Sequence, residues 1–346
     1  MYNGQVMAEV EVNVLLVVPF PEPLIERLRA VSPRLKIRAV PARSAEDVPA
    51  DVLQSTEVLY TSHMVPEPQD APELRWIQFH YAGIDHALDN PLISNPDIQV
   101  TTLSGAAAPQ MAEFALMGML TLGRRTLRMV ADQRDKIWAE KRFERYDPLM
   151  IRGSTIGIVG YGSVGREIAR LGRAMGARIL ATKRDVMSVS NDEYERPDIG
   201  DPQAELAERL YPPEATASML AECDFAVICV PLTPKTRGLI GAKVFKQMKP
   251  TSGLIDISRG GVVDHGALVE ALNEGQIAGA VLDVYPVEPL PESSPLWVMP
   301  NVLISPHVAG ASPSYAEQAV ELFGENLRRY LAEQPLLNLY DPKRGY

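Results

Sequence analysis

The sequence predicts an α/β protein of two doubly wound parallel-sheet domains, and three observations predict it. From residue 13 to 104, short apolar runs alternate with helical patterns. From 153 to 307 a second series does the same, with six strand-like runs. That second series opens on a strand, a glycine turn and a helix in direct succession, the order in which a doubly wound sheet begins. The chain of 346 residues can supply two cores, and 46% hydrophobic with 23% charged residues is the balance of a globular protein.

In the first series, 13–18 reads as a buried strand stopped by Pro19 and Pro21, and 24–31 has helical spacing. Residues 36–40, 57–61, 75–80 and 98–102 are further strands. The tight Ala82-Gly83 step follows the fourth of these five strands, beyond a carboxyl end, where parallel sheets bind ligands. A helix is expected over 109–124, with Pro109 suited to its first turn. Its 114–122 stretch is apolar almost all round, which predicts burial between domains or subunits. The charged stretch 133–152, containing Trp138, reads as helix and loop.

The six runs of the second series are 155–159, 178–182, 225–230, 253–257, 279–284 and 302–305, the number a complete dinucleotide domain requires. Between the second and third lies 185–214, polar, proline-rich and long for a connection, hence a surface excursion. A last helical segment, 314–333, is expected to return to the first domain. The expected division is therefore 1–104 completed by 311–346, a flavodoxin-like substrate domain, and 105–310, a Rossmann dinucleotide-binding domain, with the ligand crevice between them.

The glycine turn is Gly160-Tyr161-Gly162-Ser163-Val164-Gly165. The first glycine permits the turn, the second lets backbone approach a pyrophosphate, and the third lets helix and strand pack closely. The helix N-terminus then offers unpaired N–H groups and partial positive charge to phosphates. Lys183 and Arg184 end the second strand, where an acid binding the ribose 2′-hydroxyl of NAD is expected about 20 residues beyond the glycines. Two cations there suit a 2′-phosphate, so NADP(H) is favoured, with NAD(H) the alternative; Asp185 stands one residue late.

Three residues at successive strand exits can do chemistry. His307 follows the last strand, and an imidazole titrates where proton transfer at neutral pH needs it. Glu288 lies in the preceding exit loop, within reach of that imidazole, where a carboxylate fixes the tautomer and favours the protonated ring. Arg259, followed by Gly260 and Gly261, can fork onto a carboxylate.

Composition excludes other classes. A net charge of −10 argues against nucleic acid or an anionic membrane surface as partner. Only Cys223 and Cys229 are present, which fits a reducing, cytoplasmic setting. The first ten residues lack a signal-peptide pattern, and no run of about 18 apolar residues suggests a membrane span. No metal-ligand spacing and no G-x-S-x-G nucleophile elbow occur.

The blocks at 160–165, 230–236, 257–261, 283–289 and 306–310 together resemble the D-isomer-specific 2-hydroxyacid dehydrogenase family, in particular its glyoxylate/hydroxypyruvate reductase-like members. The resemblance implies that His307 is the acid/base, Glu288 its partner, and Arg259 the holder of the substrate's carboxylate and carbonyl. It implies that the backbone at Tyr81, Ala82 and Gly83 binds the substrate carboxylate. It also implies that Val230, Pro231, Leu232, Thr236, Ile257, Ser258, Asp283 and Gly310 line the cofactor. Hydride transfer between a nicotinamide and a small 2-oxo or 2-hydroxy acid follows, in a homodimer. The alternative is a nucleotide-sensing, corepressor-like binding protein on the same fold.

Overall fold

The computed structural model describes residues 10–188, 194, 196 and 199–345. Of the sequence expectations, the start of the chain and part of the 185–214 excursion (189–193, 195, 197 and 198) lie outside the described residues. The chain forms two compact units. One takes the chain up to Ala106 and again from Pro313; the other is Ala107–Ser312.

The first unit is a five-stranded parallel sheet of β1 (Val12–Leu16), β2 (Leu35–Ala39), β3 (Val58–Thr61), β4 (Trp76–Phe79) and β5 (Gln99–Thr101), in the order β2-β1-β3-β4-β5. That order is the flavodoxin-like one, with its switch between β1 and β3. β3 and β4 are buried along their whole length, as strands covered on both faces must be. One face carries Leu15, Leu59, Ile77, Phe79 and Val100. The other receives the late helix Tyr315–Leu331, whose Phe323 ring lies 4.7 Å from Tyr60 and 5.3 Å from Trp76.

A buried polar thread fixes that return. Trp76 Nε1 donates to Thr101 Oγ1 at 2.7 Å, and Thr101 Oγ1 donates to Gln78 Oε1 at 2.8 Å. Asn326 Nδ2 donates to Gln78 Oε1 and to Leu337 O, while Leu337 N–H donates to Asn326 Oδ1 at 2.8 Å. Each polar group in the thread has the partner that burial demands.

The second unit is a parallel sheet of seven strands among the described residues. They are β6 (Thr155–Val159), β7 (Arg178–Thr182), β8 (Arg209–Tyr211), β9 (Phe225–Ile228), β10 (Gly253–Asp256), β11 (Gly279–Leu282) and β12 (Val302–Ile304), in the order β12-β11-β10-β9-β6-β7-β8. This is the doubly wound dinucleotide order with one further strand at the β12 edge. β8 corrects the sequence reading: part of the supposed excursion pairs with β7, Leu180 beside Arg209 through Thr182 beside Tyr211. Three residues at a sheet edge, of which only Tyr211 is buried, leave too short a pattern to read.

The helix Ala108–Gly123 covers one face of this sheet, burying Ala112, Ala115, Gly118, Met119 and Leu122. A Cβ on Gly253 would stand 2.6 Å from Leu122 Cδ1, so glycine lets helix and strand meet. The opposite side of the helix leaves Met117 and Leu120 exposed. Beyond it, helices Thr126–Arg134 and Arg142–Tyr146 are joined by Arg145, which donates twice to Asp132 at 2.6 Å, and by the Tyr146 hydroxyl at 2.9 Å. The Arg145 hydrogen bonds hold the Asp132 carboxyl low, at about 2. Among the described residues no helix is long and apolar enough to cross a membrane.

Candidate active site

The glycine turn leaves β6 at Val159. Gly160 has φ of +107°, and a Cβ there would lie 2.8 Å from Val230 Cγ1 and 3.1 Å from Cys229 O. A Cβ on Gly165 would lie 2.1 Å from Gly160 O, so no other residue fits without moving the backbone. Gly162 caps the helix Ser163–Ala174, whose first-turn N–H groups at Ser163 and Val164 have no acceptor within the helix. This cradle fits a dinucleotide pyrophosphate.

Tyr161, expected at the cofactor, is buried. Its N–H donates to Thr182 O at 2.9 Å, and its buried hydroxyl donates to Asp201 Oδ2 at 2.5 Å. Asp201 also accepts from Glu205 and Leu206 N–H groups, and Arg166 donates to its carbonyl. Glu167 accepts from Gly200 N–H at 2.7 Å. Buried Arg166 and Glu167 thus fasten the 199–206 segment onto the cofactor helix. Sequence reading missed this role; the one signal was a charged pair on the helix's inward side.

At the end of β7, Lys183 is half-buried and its ammonium donates to Ser188 O, while Arg184 is exposed. Asp185 accepts from the Met187 and Ser188 N–H groups at 3.0 and 3.2 Å, so its carboxylate closes its own turn.

β12, β11, β10 and β9 lie side by side, so their exit loops share one edge. His307 Nδ1 lies 2.8 Å from Glu288 Oε2, and Glu288 Oε1 accepts from Tyr285 N–H at 2.9 Å. The side chains of both are partly open to solvent, at 45% and 35%. His307 has φ of +54°, a left-handed conformation costing about 1 kcal/mol for a non-glycine residue. Asp283, expected to line the cofactor, supplies the reason. It is buried, and its Oδ1 accepts from Val308 N–H at 2.8 Å and from Ser305 Oγ at 2.5 Å. Its Oδ2 accepts from Ala309 N–H at 2.8 Å. The carboxylate grips both sides of His307 and turns the imidazole outward.

Arg259 is half-buried and donates from Nη1 to Ser258 O at 2.8 Å. A Cβ on the next residue, Gly260, would stand 1.9 Å from Tyr285 O, so glycine lets the β10 and β11 exits abut. Ile257 is buried, and Ser258 Oγ donates to Asp256 Oδ1 at 2.6 Å, so Ser258 serves the loop's interior. Thr236 Oγ1 closes the 231–236 turn by donating to Pro231 O at 2.6 Å, and Leu232 lies beside Gly261. Gly310 O accepts from Gln110 at 3.2 Å. In the other unit, Tyr81 and Ala82 are exposed and Gly83 half-exposed. The N–H groups of Ala82 and Gly83 have no hydrogen-bond acceptor among the described residues.

Asp256 was not foreseen. It is buried at the end of β10, its Oδ2 has no partner among the described residues, and burial, with the nearby Asp283 charge, pushes its carboxyl up to about 7. Its only sequence signal is an acid inside an apolar strand.

Comparison with known proteins follows the same outline. Residues 116–309 match the family model described as D-isomer specific 2-hydroxyacid dehydrogenase, NAD binding domain. A glyoxylate reductase of Korarchaeum cryptofilum is 35% identical over 261 residues, covering 74% of this chain and 73% of its own length. One from Pyrococcus horikoshii is 36% identical over 266 residues, 75% and 74% of the two chains. Among solved structures, a D-isomer specific 2-hydroxyacid dehydrogenase from Xanthobacter autotrophicus Py2, in complex with NADPH and MES, is similar with a TM-score of 0.77 at 29% identity. The match covers 96% of this chain and all (100%) of that one. An NADPH-dependent glyoxylate/hydroxypyruvate reductase from Sinorhizobium meliloti shares the fold, with a TM-score of 0.75 at 24% identity over 97% of this chain and 100% of that one.

The raised Asp256 carboxyl makes stability depend on pH. Its charged form is penalised in the folded state only, so the penalty is absent below about pH 4, where both states are protonated. It grows as pH rises and is full above about 7. Urea unfolding should therefore show stability falling by about 2–4 kcal/mol between pH 4 and 7 from this group. Asp256→Asn should flatten that slope, and an unchanged slope would refute the assignment.

Proposed function

The chain belongs to the D-isomer specific 2-hydroxyacid dehydrogenase family, and we propose that it works as a 2-oxo acid reductase preferring NADPH, with glyoxylate or hydroxypyruvate among its substrates. The observation that carries this is the 2.8 Å contact of His307 Nδ1 with Glu288 Oε2 at adjacent strand exits of the dinucleotide unit. The nicotinamide, when bound, supplies the hydride to the 2-carbon. Glu288 holds the Nδ1 proton of His307, which leaves Nε2 as the atom that donates a proton to the developing alkoxide. Arg259 stabilises that oxygen and orients the substrate carboxylate, and the unpartnered N–H groups of Ala82 and Gly83 bind the carboxylate.

The preference for the phosphorylated cofactor draws support from Lys183 and Arg184 together with the engagement of Asp185 in its own turn. Val230, Pro231, Leu232, Thr236 and Gly310 shape the remaining cofactor wall. Two cysteines that form no disulfide suit a cytoplasmic setting. A homodimer is supported by the apolar surface of the 108–146 region, where Trp138 is 87% and Phe143 81% exposed, beside Val130 and Leu120. Light scattering showing a monomer at micromolar concentration would remove that part of the reading.

His307→Ala should lower kcat on glyoxylate by at least about a hundredfold, since general acid catalysis contributes that much; near-full activity would sink the assignment. Silence of the unsubstituted protein across a panel of 2-oxo acids would favour the nucleotide-sensing alternative. With an active substrate, kcat/KM should be higher with NADPH than NADH, and Lys183→Ser with Arg184→Ser should reverse the order. An NADH preference above about tenfold in the unsubstituted enzyme would refute the cofactor choice.

A further inference from the structure

In the first unit, two imidazoles stand over the carboxyl ends of β3 and β4. His63 follows β3 by two residues, and His86 sits in the short turn Asp85–Ala87 just after Gly83. Their ring centroids are 4.5 Å apart, tilted by 39°. Both residues are exposed. The exposed Tyr81 ring flanks His63 at 5.9 Å, and buried Phe79 meets His86 edge-on, also at 5.9 Å.

The group is held from beneath. His80 Nδ1 is bonded to Tyr60 OH at 2.7 Å, its carbonyl accepts from Tyr315 OH at 2.7 Å, and its ring lies 5.1 Å from Tyr81. Burial keeps the His80 ring neutral, pushed down to about 4, so it adds no charge. The ring of His86 is bonded to the Ser62 carbonyl, which fixes its direction. No hydrogen bond joins either exposed imidazole to a carboxylate among the described residues. Two imidazoles so close repel one another when both are protonated. Burial, and then the neighbouring His63, accordingly push His86 down. The nearby Asp85 charge opposes that push only in part.

We propose that His63 and His86 receive a second carboxylate on the substrate, making 2-oxo dicarboxylic acids the favoured class for this site. The inference rests on the reductase reading above. The unpartnered N–H groups of Ala82 and Gly83 take the carboxylate next to the carbonyl, and the imidazole pair takes the far one. Donor number selects a carboxylate over a phosphate. Two imidazole N–H donors suit the two oxygens of a carboxylate, whereas a phosphate dianion calls for cations such as a guanidinium fork. The Tyr81 ring supplies an apolar wall beside His63, against which the methylenes between the two carboxylates lie.

The test is steady-state reduction by NADPH of 2-oxoglutarate and 2-oxopentanoate, acids of equal chain length that differ in the terminal carboxylate, with glyoxylate reporting the reaction itself. The ratio of kcat/KM, dicarboxylate over monocarboxylate, is expected to be at least about tenfold and to be carried by KM. In His63→Phe and in His86→Phe it should fall to about one. Should a phenylalanine variant fail to fold, asparagine at the same position should still cut the ratio at least threefold, about the loss of one charge-assisted hydrogen bond. A ratio near one in the unsubstituted enzyme, or one unmoved by substitution at either position, overturns the proposal while turnover of glyoxylate leaves the reductase reading standing. Absence of turnover with all three acids removes the reductase reading and this inference with it.

Discussion

The grip of the Asp283 carboxylate on Val308, Ala309 and Ser305 is the constraint from which the strand-exit edge of the dinucleotide unit takes its shape. Three donors converge on one buried carboxylate from the loop after β12, while Asp283 itself ends the neighbouring β11. The two exits are thereby one object. His307 sits between the gripped Ser305 hydroxyl and the gripped Val308 and Ala309 N–H groups, in a left-handed backbone. Charge-assisted hydrogen bonds of this kind outweigh the roughly 1 kcal/mol that conformation costs. The imidazole consequently reaches Glu288 from a backbone that has no freedom to swing it elsewhere.

The same principle recurs where backbone meets backbone. Gly160 and Gly165 let the turn close on itself, and Gly260 lets the β10 exit lie against Tyr285. In each case a single methyl group would force strands apart that carry groups needed at one edge. Asp256 sits under this edge with an oxygen that has no partner among the described residues, and burial pushes its carboxyl up to about 7. Its other oxygen accepts from the Ser258 N–H and hydroxyl.

Much of this was legible in the sequence, and the exceptions are instructive. The order and spacing of the apolar runs announced both sheets because strands covered on two faces are written as unbroken apolar stretches. The glycine turn and the closeness of His307 to Glu288 were legible because they depend on local backbone and on neighbouring strand exits. β8 was not, because three residues at an exposed edge carry almost no pattern. Tyr161, Ser258 and Asp283 lie on the loops that the motifs indicated, and their side chains bond within the unit. A motif shows which loop a residue occupies, whereas its facing depends on partners such as Asp201, Asp256 and Val308 that lie far off in sequence or look unremarkable there. The 199–206 segment on the cofactor helix was hidden for the same reason.

The first unit is also interrupted in sequence, and this has a bearing on how the chain comes into being. Its five strands are all translated by residue 101, yet Phe323 and Asn326, which cover Tyr60, Trp76 and Gln78, arrive more than 200 residues later. On the ribosome the dinucleotide unit is complete in sequence while its neighbour still lacks the helix that seals one face of its sheet. The half that emerges first is therefore the half that finishes last. In the meantime its aromatic face is the part of the nascent chain most in need of protection from other chains.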